Sequence, residues 1–149
     1  MLKLLFFILL LLALCFTAFL FYQGKVSVSQ PPPQPDNTGE LPACPNKPNC
    51  VSSGAAPTDF THYIDPIAAE VSMEELKAAV IHDGGNDVVV EGNLLTATYK
   101  SRVFGFIDDL LMVKNADQIQ VRSSSRVGYS DFDANRKRVE RLRAALDPS

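Results

Sequence analysis

Two adjacent carboxylates, Asp108 and Asp109, and two arginines, Arg122 and Arg126, have the types and spacing that most invite chemistry in this 149-residue chain. Paired carboxylates do acid–base work when they face each other. Neighbours on a strand point to opposite faces, so this pair acts jointly only at a bulge or a strand end. The two arginines sit at i and i+4, which keeps them on one strand face. Paired guanidinium groups suit a carboxylate or a phosphate. Asp131, Asn135, Arg136 and Arg138 follow in the next segment. Asn135 falls on a predicted apolar stripe, so it is expected buried and hydrogen-bonded. Arg138 flanks that stripe, Arg136 points more toward solvent, and Asp131 is placed beside Arg126 or Arg138. Together these side chains form a candidate network, read either as internal salt bridges or as a site for a small anionic ligand.

Other constellations are missing. A serine nucleophile needs a nearby base, yet the only histidines are His62 and His82, and neither has metal-ligand spacing. There is no Gly-x-Ser-x-Gly elbow and no Gly-rich phosphate loop. No catalytic residue can be named, and no cofactor or metal is expected. Cys44 and Cys50 lie in a loop stiffened by Pro45 and Pro48. A structural disulfide is the expected reading, ahead of a redox pair, which would favour Cys-x-x-Cys, and of a metal site.

The net charge of -3 argues against nucleic-acid binding by phosphate neutralisation. The charge is uneven. Residues 41–117 carry 5 Lys/Arg against 11 Asp/Glu, and residues 118–149 carry 7 against 4. A basic C-terminal segment therefore docks on an acidic body or presents a solvated face.

From Leu4 to Tyr22 only Thr17 is clearly polar. At about 1.5 Å per residue this covers roughly 28 Å, close to the hydrocarbon core of a bilayer. Phe19, Phe21 and Tyr22 close it where aromatic rings favour the interface. Three fates compete: an uncleaved anchor, a cleaved signal, and lipidation at Cys15. No Ala-x-Ala site precedes Lys25; Leu14, not a small residue, stands directly before Cys15, and the apolar run continues past it. The expectation is an anchor over residues 1–24, a proline-rich linker over 25–40 that lifts the domain off the membrane, and a domain over 41–149. The chain is thus expected as a single-pass protein of the cell membrane, its domain in the periplasm or otherwise outside the cytoplasm.

Ser72 and Glu75 predict a capping box, with Met73, Leu76, Ala79 and Val80 on one face and Asp83-Gly84-Gly85 as the stop. Asp87–Glu91 and Leu94–Arg102 read as strands joined at Gly92-Asn93. Val103–Val113 and Gln118–Ser125 read as two more. A second helix is expected from Ser130, with Asp133 completing a capping box, Phe132, Val139, Leu142 and Leu146 as its stripe, and Pro148 after it. The predicted fold is α+β: the N-terminal transmembrane helix, then helix, four antiparallel strands and helix, with both helices on one face of the sheet.

Several stretches then come into line: Cys44-Pro45-x-x-Pro48-Asn49-Cys50-Val51-Ser52-Ser53, Phe106-Ile107-Asp108-Asp109, Arg122-Ser123-x-Ser125-Arg126-x-Gly128-Tyr129-Ser130-Asp131 and Asn135-Arg136-x-Arg138-Val139. In this order they resemble the bacterial and plastid family known as domain of unknown function 1499, over roughly residues 41–146. Asp133 departs from that pattern, in which relatives tend to carry Gly. The resemblance implies the fold and no activity. Two functions of different class remain: a membrane-anchored binding or structural module of the cell envelope, with an envelope protein or small anion as partner, and a hydrolase acting on an envelope component. The absence of a catalytic constellation favours the module.

Overall fold

The structure, a computed structural model, describes residues 1–36, 38–68 and 70–147. The N-terminal helix α1 runs Leu2–Ser29, and its apolar stretch is long enough to cross a membrane and wholly unburied. The helix does not end at the predicted linker boundary near residue 25. It continues to Ser29 because its last turns pack on the domain: Gly24 and Ser27 are buried. A Cβ on Gly24 would lie 1.8 Å from the Phe104 carbonyl oxygen, so only glycine permits this approach. The Ile107 N–H donates to Ser27 Oγ at 2.9 Å, and the Ser27 hydroxyl donates to the Ile107 carbonyl at 3.4 Å. The helix itself therefore reaches the domain.

The domain is α+β. Its elements are β1 (Cys50–Ser52), β2 (Ile67–Ala68), α2 (Met73–His82), β3 (Asn86–Glu91), β4 (Leu94–Lys100), β5 (Ile107–Lys114), β6 (Gln118–Ser125) and α3 (Ala134–Leu146). The sheet is antiparallel in the order β1-β6-β5-β4-β3, with β2 also pairing β6. The last four strands are the predicted meander; β1 and β2 extend it to six. The Cys44–Cys50 disulfide, with Cα atoms 5.7 Å apart, fixes the start of β1.

Local rules explain most boundaries. Ser72 and Glu75 form the reciprocal cap of α2. Gly92 takes a φ of 60° in the β3–β4 turn. Strand β5 starts at Ile107, not Val103. Residues 101–106 turn instead: the Ser101 N–H donates to the Phe106 carbonyl, the Phe106 N–H to Ser101 Oγ, and Gly105 has a φ of 73°. Helix α3 starts at Ala134, four residues after the expected Ser130. Phe132 and Asp133 are left-handed, at φ 55° and 64°, and this throws Phe132 out to 86% exposure. It is not part of the stripe. The expected Asp133 cap is absent; Asp131 accepts from the Asn135 N–H at 2.8 Å in its place. Glycine at position 133 would hold that conformation without a Cβ penalty. Pro148 lies outside the described residues.

Both helices cover one face. Leu76 and Val80 of α2 and Val139 and Leu142 of α3 pack on Leu95, Leu110, Met112, Ile119 and Val121. The opposite face is also shielded, since Asp109, Leu111, Val113 and Arg122 are buried there. The proline-rich segment lies over it: Pro32, Pro33 and Gln34 line a cleft with Thr96, Thr98, Leu111 and Arg126.

Candidate functional site

The pleat sends Asp108 and Asp109 to opposite faces. Asp108 pairs across β4–β5–β6 with Tyr99 and Ser125, and Asp109 with Thr98 and Ser124. Each carboxylate meets an arginine. Arg138 Nη2 lies 2.7 Å from Asp108 on the helix face. On the other face Arg126 grips Asp109 through two parallel bonds, Nε to Oδ2 at 2.8 Å and Nη2 to Oδ1 at 2.7 Å.

Around Arg138 a polar seam joins α3 to the sheet. Its Nη1 donates to Ser123 Oγ at 2.8 Å and to Asn135 Oδ1, and its guanidinium stacks 4.1 Å from the centre of the Tyr99 ring. Asn135 is fully buried. Its amide donates to the Asn49 carbonyl, to Ser125 Oγ and to Asp131 Oδ2, while its Oδ1 also accepts from Ser123. Asp131 therefore serves Asn135 and the first turn of α3, not Arg126 or Arg138. Burial pushes the Tyr99 hydroxyl far above the usual tyrosine range.

On the outer face Arg126 also donates to the Gln30 carbonyl at 2.9 Å, pinning the chain just after α1. Its hydrogen bonds to Asp109 raise its pKa further above the usual arginine value. Arg122 shares this face, as its register with Leu111 requires. It is 5% exposed, donates to Ser124 Oγ at 2.6 Å, and its buried Nε has no partner among the described residues. Desolvation pulls its pKa down while Asp109 opposes the shift. Arg136 does not join either group. It bonds the carbonyls of Tyr63 and Thr61, ties α3 to the loop before β2, and is more exposed than the buried Arg138.

The sequence sets His62 aside for lack of metal-ligand spacing and does not single out Asp59. Their side chains meet at 2.7 Å, which lowers the Asp59 pKa. The cleft beside them contains Ser52, but His62 Nε2 faces the Lys47 carbonyl at 3.1 Å, and Ser52 Oγ accepts from the Gly54 N–H. The histidine is thus engaged with backbone and not poised as a base on that serine. No sequence signal marks this pair, because Lys47 reaches it only through the fold.

Size separates the concavities from the networks. The cleft at Asp109 and Arg126 encloses about 170 Å³, below the roughly 300 Å³ at which small-molecule sites begin. A groove of about 700 Å³ runs between Val71, Ala78, Ala79 and Leu146, and contains none of the network residues. The arginines and aspartates are thus mostly consumed by one another.

The four sequence stretches converge on this region: β1, the start of β5, the end of β6 and the first turns of α3. A scan against family models matches residues 40–146 to "Protein of unknown function (DUF1499)". Searches of curated proteins and of solved structures return no match. With a match over most of its length, the chain belongs to the DUF1499 family.

Proposed function

We propose that this protein is a single-pass, membrane-anchored module of the cell envelope whose domain lies outside the cytoplasm and acts by binding or as a structural part, not as an enzyme. The observation that carries the reading is the use of residues 24–30 as part of the domain. Gly24 packs on Phe104, Ser27 satisfies both backbone groups of Ile107, and Gln30 receives Arg126. Cleavage near Lys25 would remove the Gly24 contact and cut the helix between its two buried residues, Gly24 and Ser27. Retention of the helix is therefore favoured over cleavage. The pairing of Asp108 and Asp109 with arginines argues against a hydrolase built on these two carboxylates, which would have to be free and face each other. A disulfide between Cys44 and Cys50 fits an oxidising compartment. Two measurements test the reading: the N-terminal sequence of the membrane-bound protein, expected to begin at Met1, and an alkaline phosphatase fusion after residue 40, expected to be active. A mature chain beginning near Lys25, or an inactive fusion, would sink it.

A further inference from the structure

The geometry points to the β4–β5 loop, residues 101–106, as a second membrane contact that binds the anionic headgroups of the leaflet beneath the domain. This rests on the anchor reading above. The argument begins with depth. Phe21 is near the end of the apolar stretch, and the Phe104 ring packs edge-on against it, centroids 5.3 Å apart. Phe106 follows at 5.9 Å from Phe104. Gly24, about 4.5 Å further along the helix axis, is pressed on the Phe104 backbone. The loop therefore lies at the level where α1 leaves the hydrocarbon, the depth at which aromatic rings are favoured.

Charge sets the partner. Lys25 on α1 and Lys100 and Arg102 on the loop are exposed, and residues 20–30 and 100–107 contain no Asp or Glu. Val103, directly after Arg102, is 67% exposed. An exposed apolar residue beside cations, in segments without an acidic residue, matches a bilayer with negative headgroups. The tip is also held in shape: the Ser101 N–H bonds the Phe106 carbonyl and the Gly105 N–H bonds the Ser101 carbonyl. It meets the lipid preformed.

The chain has no tryptophan, so Val103→Trp supplies a single reporter in the full protein. The variant is reconstituted into vesicles of phosphatidylcholine alone, or with about one third phosphatidylglycerol. Spin-labelled lipids carry the quencher near the headgroup or deep in the acyl chain. Expected are blue-shifted emission and headgroup-depth quenching, at least twofold stronger in the anionic vesicles, with that gain lost on adding Lys100→Glu and Arg102→Glu. Emission as water-accessible as in an unfolded chain overturns the proposal, and equal quenching in both lipids overturns the anionic assignment. Leu10→Trp, read in parallel with the deep quencher, separates the two levels. If it is quenched while Val103→Trp is not, the loop proposal alone fails. If it is water-accessible, the anchor reading falls and takes the proposal with it.

Discussion

Asp108 and Asp109 are bonded neighbours that never meet a common partner: Arg138 holds the first beneath the helices and Arg126 holds the second under the proline-rich segment, each at 2.7 Å. The sheet therefore carries an ion pair on each side at the same point of its length. One side fastens α3, and the other fastens the chain that arrives from α1. Charges that look like a single cluster in sequence work as two unrelated fasteners.

The outer pair predicts an asymmetry between two arginines that share its face. Arg126→Gln strands a buried carboxylate and is expected to cost about 3–5 kcal/mol, the usual penalty for breaking a buried pair. Arg122 has no ion-pair partner within salt-bridge distance among the described residues, and its Nε is unsatisfied. Arg122→Met removes that burden and should cost less than about 1 kcal/mol or stabilise. Urea unfolding of the detergent-solubilised protein distinguishes the two. If phosphate stabilises the parent but not Arg122→Met, Arg122 is an anion ligand.

Asn135→Leu should destabilise by about 3 kcal/mol, because it leaves Ser123, Arg138 and the Asn49 carbonyl short of partners in a buried seam. The variant is compared with the parent by its denaturant midpoint at fixed slope. Unchanged midpoints would mean that the seam contributes nothing to stability.

Tyr99 predicts an alkaline limb. Its folded pKa lies well above its ordinary value, with burial as the first cause. The folded state thus resists losing this proton. The stability it contributes is complete below the unfolded value near ~10 and declines as pH rises beyond it. Tyr99→Phe keeps the ring under Arg138 and removes the titration. Between pH 9.5 and 11.5 the parent should lose stability more steeply than Tyr99→Phe; equal slopes would refute the assignment.

Gly24→Ala sets two effects against each other. In a free helix alanine is favoured over glycine by about 1 kcal/mol. Here the new Cβ would lie 1.8 Å from the Phe104 carbonyl oxygen, so helix and domain must part. The clash should win, and the Ile107 amide, bonded to Ser27, should exchange with deuterium faster by at least tenfold. Slower exchange, or a higher melting temperature, would mean that α1 does not dock.

Asp133→Gly should be neutral or stabilising by up to about 1 kcal/mol, since φ is 64° there. Asp133→Val should be clearly worse. Thermal melts of the two variants decide it.

What could be read from sequence was what depends on near neighbours. Ser72 and Glu75 announce their own cap, and the period of two assigns Asp108 and Asp109 to separate faces before any fold is known. Asp131 was given the wrong partner because its nearest donors, the Asn135 N–H and amide, are satisfied locally, before any arginine is reached. Strands β1 and β2 are three and two residues long, too short for any periodicity, and exist only because β6 offers an edge. In sequence Gly24 reads as the end of an anchor and Ser27 as part of a spacer. Their role depends on Phe104 and Ile107, some eighty residues away.

The close seat of Gly24 makes a lever of the molecule. With Gly24 and Ser27 seated on residues 104–107, and on the anchor reading proposed above, the azimuth of the helix in the plane of the bilayer sets the heading of the sheet. Two chains whose helices met side by side would hold their domains at one fixed angle to each other. A torque applied to the helix would arrive at Ile107, at the first residue of the strand that carries both aspartates.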